Sequence, residues 1–313
     1  MPDSFLVALW VVTPMVLLMA VGAGVRKAGL MDRPTMRKVD KLTFRLFMPV
    51  LLFKNIYETD LSQHFDLREV LFALAALLAL FAFALLVPPR LVKGPAQAAS
   101  IGQAIVRSNY ILFGISVAQS IYGEGNTGPV ALLGAIVVPL TNAMSVVILE
   151  LGRSGQAGAG QIFRSILKNP MVVAALAALA LMALPFRIPA LLWSVIRDIA
   201  GVTTTISFIS LGVSLDLGEA RANRRLLTLG VVLRMVLVPL IFLPISVALG
   251  FRGPTLCALL VLFAAPAAVA SYPMAVAMGA DGPLSGQLVC VTTVVSVFTM
   301  FCFTFLFRAL GFL

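Results

Sequence analysis

An all-α integral membrane protein of ten transmembrane helices is the fold class that this sequence predicts, and three observations predict it. Of the 313 residues, 60% are hydrophobic and 12% are charged, about half the charge density of a soluble domain, and the mean hydropathy is +1.04. A water-soluble protein of this length needs a polar skin that such a composition cannot supply. The apolar residues fall into runs, and at about 20 residues per crossing with about 10 per connection the chain holds about ten helices. Lysine and arginine, finally, crowd into alternate connections, as they do when a chain is threaded through a bilayer.

The first five helices are expected near 5–25, 39–57, 69–87, 100–121 and 129–150. No basic n-region precedes the first run and no small-residue cleavage site follows it, so it reads as a helix that stays in the membrane. The second contains Pro49 and ends at Phe53, Lys54 and Tyr57, with Glu58 and Asp60 just beyond. Lys54 is either a gate or coupling residue or an interfacial anchor. In the fourth, Asn109 brings two donors and an acceptor to the middle of the membrane. That suits ligand contact, or interhelical glue worth about 1 kcal/mol. Gly114 in the same helix permits close backbone approach, and Arg107, toward the cytoplasmic end, either draws anions inward or, more simply, snorkels to the interface. Pro139, Thr141 and Asn142 interrupt the fifth helix, as a wall of the same cavity or as a kink capped by Thr141.

A Gly/Ser/Gln-rich run at 154–161 lies in the longest interior polar stretch. The expected organisation is a first five-helix unit at 1–151, a cytoplasmic linker at 152–168 and a second unit at 169–313. Its helices are expected near 170–186, 190–215, 226–249, 255–278 and 283–310. In the seventh helix, Arg197 and Asp198 precede the hydroxyl-bearing Ser207, Ser210 and Ser214, and the run ends at Asp216, a second gate or coupling candidate. Arg234 in the eighth is a functional intramembrane charge or one that reaches an interface. The ninth carries Pro266 and Pro273 around Ser271 and Tyr272. Each proline lacks an N–H and displaces the carbonyl four residues back, which frees groups around Leu262 and Val269. In hydrocarbon these need partners; a polar ligand cavity supplies them, or a pair of plain kinks satisfied by Ser271.

Charge sets the orientation. Arg26, Lys27, Arg33, Arg37, Lys38 and Lys41 follow the first helix, and Arg90, Lys93, Arg153, Arg164, Lys168, Arg221, Arg224 and Arg225 follow the third, fifth and seventh. The opposite connections hold Lys54, Arg68, Arg187, Arg252 and Arg308. Both termini are therefore expected outside and the linker inside. This partition explains the net charge of +10 without nucleic acid. Five helices per half is an odd number, so any element shared by the halves must be inverted. At a constant offset of 157 residues Asn109 meets Pro266, Ser116 meets Pro273, Ala118 meets Ala275, Glu124 meets Asp281 and Gly125 meets Gly282. Inverted repeats whose interrupted helices meet at the midplane are the architecture of many secondary transporters.

Other classes find little support. Cys257, Cys290 and Cys302 sit in apolar runs without metal spacing, and the single histidine, His64, lies in a connection, so neither a metal, a cofactor nor a catalytic constellation is expected.

Gly29 and Asp32 after the first helix, Pro49 to Phe53, Ser108 and Asn109 with Phe113 and Gly114, Pro139 to Asn142, Lys168 to Pro170, Leu211 to Leu215, and Ala265 and Pro266 with Ser271 and Tyr272 stand in order along the whole chain. In this order and spacing the chain resembles the auxin efflux carrier family of transporters, specifically its bacterial members. The resemblance implies two inverted five-helix repeats with crossed broken helices four and nine, similar to the bile acid:sodium symporter and sodium/proton antiporter folds. It also implies a scaffold of helices 1, 2, 6 and 7, a homodimer through that scaffold, elevator-like alternating access and a bacterial plasma (inner) membrane location. The implied substrate is a small organic anion, an auxin-like carboxylate or a dicarboxylate such as malate or malonate, with a proton or sodium as coupling ion. By position, Asn109 would be the crossover ligand, with Gly114 and Ser116 beside it, Asn142 a cavity wall, and Pro266, Ser271 and Tyr272 the break of the ninth helix. One departure is Ser116, where relatives commonly have proline; its hydroxyl is then available to a ligand or the backbone. The competing reading is a membrane sensor that binds at the same crossover without moving its ligand. Net accumulation against a gradient separates the two.

Overall fold

The computed structural model describes residues 2–58, 66–123, 127–154, 159–184 and 188–313; Asp60, His64, Glu124, Gly125 and Arg187 lie outside them. The described chain is all-helical. Helix α1 (Pro2–Lys27) leads into α2 (Arg33–Leu42) and α3 (Met48–Tyr57), which are fused through a π turn at Thr43–Phe47. Next come α4 (Leu67–Leu86), the short α5 (Pro88–Leu91), α6 (Pro95–Val106), α7 (Tyr110–Tyr122) and α8 (Gly128–Ser154). The rest of the chain forms α9 (Ala159–Lys168), α10 (Pro170–Ala183), α11 (Ala190–Ser214), α12 (Leu217–Ala222), α13 (Arg224–Val232), α14 (Val238–Ala248), α15 (Gly253–Ala264), α16 (Ser271–Met278) and α17 (Gly282–Ala309), with a second π turn, Leu233–Leu237, between α13 and α14. Among the described residues six stretches are long and apolar enough to cross a membrane: Leu9–Lys27, Leu67–Leu91, Gly128–Arg153, Ala190–Ser214, Arg224–Ala248 and Gly282–Ala309. Tyr110–Tyr122, Pro170–Ala183 and Gly253–Ala264 are shorter apolar helices.

Local chemistry sets these boundaries. Asp32, Asn169 and Asp281 cap α2, α10 and α17 by accepting N–H bonds from Thr35, Met171 and Leu284 at 2.8, 2.9 and 2.9 Å, each with a proline in the first turn. Such a cap followed by proline starts a helix because proline's missing N–H is one of the unpaired groups in any case. Both π turns run directly into a proline-bearing helix, Pro49 in α3 and Pro239 in α14. Widening the preceding turn relieves the clash between the proline ring and the carbonyl four residues back. Pro273 is likewise absorbed in the first turn of α16, so it is no second break, contrary to the expectation of two interruptions in this region. Within the expected linker α8 runs on to Ser154 and α9 forms from Ala159. The Gly/Ser/Gln run ends at residue 161, after which Ile162, Phe163, Ile166 and Leu167 recur at helical spacing.

The helices pack around a common interior, and α1 lies against α17 as well as α11. α1 lies along α11, and α3 against α10 and α11; α4, α6 and α8 pack together, as do α7 with α15 and α13 and α16 with α17. The α1–α11 crossing is set by glycine. A Cβ built on Gly22 overlaps the Ile209 carbonyl, and one on Gly212 overlaps the Met19 carbonyl, so two backbones touch where side chains would hold them apart. Gly212→Ala is expected to cost about 1–3 kcal/mol and lower the thermal midpoint in detergent. Gly201→Ala, on the same helix with nothing within 4 Å of the new Cβ, should leave it unchanged or raised; equal effects at both positions would dismiss the crossing as the cause.

Candidate functional site

Between α6 and α7 the chain leaves the helix for three residues, and Arg107 takes an extended conformation (φ −101°, ψ 99°). Between α15 and α16 the chain leaves the helix for six residues, beginning at Ala265 (φ −67°, ψ 152°). The two breaks lie antiparallel with a bridge between Ser108 and Ala267. Asn109 N–H donates to the Pro266 carbonyl at 2.8 Å and Ala268 N–H to the Arg107 carbonyl at 3.0 Å, while Ala267 N–H reaches Thr292 Oγ1 at 3.2 Å. Non-helical backbone in an apolar interior persists only where its polar groups find partners, and each break supplies them to the other.

The carbonyls released at the ends of α6 and α15 need a donor as well, and Arg234 provides it. This residue, within the second π turn, is fully buried, with 0% exposure. Its Nη1 donates to the Ile105 carbonyl at 3.0 Å, its Nη2 to Leu262 at 3.0 Å and Ala265 at 2.7 Å, and its Nε to Ala265 at 3.1 Å. One planar fork therefore holds the negative ends of both half-helices. Of the two readings of Arg234, the one in which it reaches an interface is excluded by its burial, while Arg197 and Asp198 are exposed. The carbonyl freed at Leu262 is accounted for by Arg234, and that of Val269 accepts from Tyr272 N–H at 3.3 Å.

The positive ends of the half-helices are not equivalent. At α16 the chain turns back, with Ser271 and Tyr272 N–H donating to the Ala268 and Val269 carbonyls at 2.9 and 3.3 Å. At α7, Asn109 makes no side-chain cap, and the N–H groups of Tyr110, Ile111 and Leu112 have no acceptor among the described residues. All three residues line a cavity of about 200 Å³. Its walls include Met48, Leu52 and Asn55 of α3, Arg107 to Asn109 of the first break, Thr141 and Asn142 of α8, Thr203 and Ser207 of α11, and Ala268 to Ala270 of the second break.

Polar groups in this wall lack partners. Asn142 is fully buried and neither its Nδ2 nor its Oδ1 is bonded; Asn109 Nδ2 and the Tyr110 hydroxyl are also buried without partners. Buried amides are nearly always satisfied, so unpaired amide atoms on two residues that line one cavity mark it as the candidate ligand site. Thr203 and Ser207, by contrast, are spent on helix carbonyls, Thr203 Oγ1 on Phe47 and Ile199 at 3.1 and 2.9 Å and Ser207 on Thr203 at 2.7 Å. Thr141 bonds back to the Val138 carbonyl at 3.1 Å beside Pro139, as the kink reading expects, yet it also lines the cavity. Among the described residues Arg107 is the one charged member of the lining. It is only 4% exposed, meets Met274 Sδ at 3.1 Å and has no carboxylate partner among the described residues. Of the two readings of Arg107, snorkelling to the interface fails, because the residue sits on the break itself and lines the cavity.

Several expected site residues fall elsewhere. Ser116 lies mid-helix in α7, seven residues beyond Asn109, and bonds its own Leu112 carbonyl at 3.0 Å. Gly114 faces the side chains of Val130 and Val261 rather than a second backbone. Pro266 contributes its carbonyl to the crossover, and Ser271, although buried with an unpaired hydroxyl, is not in the cavity wall. Tyr272 works at a different place: its hydroxyl donates to Asp40 Oδ2 at 2.9 Å and lies 2.6 Å from Ser214 Oγ, while Ser210 bonds Asp40 Oδ1. Asp40, 1% exposed on α2, was hidden in the sequence among the basic residues 37–41. Lys54 pairs with Glu58 at 2.5 Å, one turn on. Asp216 pairs with Arg33 at 2.8 Å and caps α12, and the N–H groups of Glu219 and Gly218 hold its carboxyl below the usual range. Neither residue lines the cavity.

Comparison with known proteins adds one result. A family model described as a membrane transport protein matches residues 7–160 and 156–304. No curated protein matches the chain.

Proposed function

Because the chain belongs to the auxin efflux carrier family of membrane transport proteins, we propose that it is a secondary transporter that carries a small organic anion through the crossover cavity. The observation that carries this reading is Asn142, fully buried at the cavity with both amide atoms unpaired. The sign of the ligand follows from its surroundings. The open N-terminus of α7 holds about half a positive charge and Arg107 a full one, with no acidic residue among the described residues of the lining. One guanidinium and one helix end match one carboxylate, which favours a monocarboxylate over malate or malonate. A cavity of about 200 Å³ is smaller than the roughly 300–1,000 Å³ of sites for drug-sized ligands, so the substrate is small.

The mechanism we propose is elevator-type alternating access. The ten crossings are the six long apolar stretches, the fused α2–α3, the broken pairs α6–α7 and α15–α16, and α10. They form inverted repeats at 1–151 and 169–313 joined by the α9-bearing linker. α1, α2–α3, α10 and α11 act as the scaffold and the dimer surface, and the helices around the two breaks carry the cavity past it. The links from Asp40 to Tyr272 join the two bodies and exchange as they slide. A proton or sodium gradient drives the cycle in a plasma membrane with both chain termini outside. The test is uptake of labelled malate, malonate and an indole carboxylate into proteoliposomes under imposed proton or sodium gradients. Gradient-dependent accumulation, strongest for the monocarboxylate, is expected. Saturable binding of the same compounds without accumulation would replace the transporter by a sensor.

A further inference from the structure

A second cleft, of about 360 Å³, opens where α8, α9 and the start of α10 meet the π turn of the second crossing and the end of α16; Arg45, Arg153, Arg164 and Lys168 line it, with Glu150 as its acid. Glu150 is engaged by Arg153, which leaves Arg45, Arg164 and Lys168 without an acidic partner among the described residues. Arg164 and Lys168 stand four apart on α9, a like-charge spacing that destabilises a helix unless an anion lies between them. On the adjoining face of α9, Phe163 is 63% and Leu167 48% exposed, again one turn apart. A small soluble anion would use the cations and leave these apolar side chains in water. A phospholipid would use both.

We propose that this cleft binds the phosphate headgroup of an anionic phospholipid, with its acyl chains laid along Phe163 and Leu167 of α9. α9 then lies in the membrane interface, with basic side chains on the headgroup and apolar ones in the acyl boundary. The cleft joins α9 and α10 to α16, so an occupied site ties the linker to the end of the second broken helix pair. This assignment is independent of the nature of the transported substrate.

The test uses the full-length chain in detergent, titrated with phosphatidylglycerol or phosphatidylcholine while bound lipid is counted by native mass spectrometry. The wild type should bind phosphatidylglycerol in preference to phosphatidylcholine. R164Q with K168Q should weaken phosphatidylglycerol binding roughly thirtyfold, the effect of two cations near an anionic surface. R221Q with R224Q, in a separate basic cleft on α12 and α13, serves as control and should change it little. Both α9 positions are exposed, and an unchanged thermal midpoint without lipid checks the fold. Equal binding of the two lipids, or equal loss in both variant pairs, overturns the proposal. So does inorganic phosphate that displaces the lipid completely at millimolar concentration, which would make the cleft a site for soluble anions.

Discussion

Arg234→Met is expected to destabilise the fold strongly, by about 3–5 kcal/mol. Methionine matches the length of the arginine stem, so the substitution leaves little cavity. What it removes is four hydrogen bonds from a buried cation to three carbonyls of Ile105, Leu262 and Ala265. Replacing a buried ion pair by apolar groups is often neutral because both charges leave. Here the acceptors are backbone and stay behind unsatisfied, at about 1–3 kcal/mol each. A net loss of about 3–5 kcal/mol is a large part of the 5–15 kcal/mol that holds a typical domain together. Arg234→Lys keeps the charge but cannot span three carbonyls from one ammonium and should recover only part of the loss. Thermal unfolding in detergent reads both variants. A midpoint for Arg234→Met within a few degrees of wild type would show that the crossover does not depend on the guanidinium.

Asn142→Ala and Asn109→Ala should do the opposite, sparing the fold and removing the ligand. Neither amide atom of Asn142 has a partner to lose, so truncation should leave the thermal midpoint unchanged or slightly raised. A hydrogen bond from a neutral donor to a charged ligand is worth about 1.5–3 kcal/mol. Each substitution should therefore weaken carboxylate binding roughly 10- to 150-fold, measured by calorimetry on purified protein. Asn109→Ala also alters the residue preceding the open end of α7, but its backbone bond to Pro266 survives. Ser116→Ala, which loses only a bond within its own helix, should bind as wild type does. Unchanged affinity in both asparagine variants would remove the crossover cavity from the ligand pathway.

These two residue sets mark how far the sequence could be read. Asn109 and Asn142 were legible because an amide inside an apolar run has no bland explanation beyond one partner helix, and Pro266 because a proline there must free a carbonyl. Arg107 and Arg234 were not, since position along a run does not tell whether a long side chain turns inward or out to the interface. Arg234 in particular serves carbonyls more than a hundred residues away at Ile105, which no local pattern encodes. Ser116 and Pro273 matched at constant offset, yet the break in the fourth helix lies ahead of Asn109. There an extended Arg107 pairs with the other break, and Pro273 sits harmlessly in a first turn. The asymmetry between an open α7 and a self-closed α16 depends on how residues 268–270 turn, and is likewise a property of the packed pair. Tyr272 and Asp40 became visible as partners only when α2 and α16 met. The Gly/Ser/Gln run hid α9, whose apolar spacing begins just after it.

The measurement that bears most directly on the crossover as a carrier site is a current on a solid-supported membrane, recorded when a monocarboxylate is jumped onto proteoliposomes of wild-type and Asn142→Ala protein side by side. A saturable current of the sign of an entering anion in the wild type, lost or shifted to at least tenfold higher concentration in Asn142→Ala, is the expected result. Equal currents from both proteins would contradict it, because the anion would then cross by a route that does not touch the buried amide.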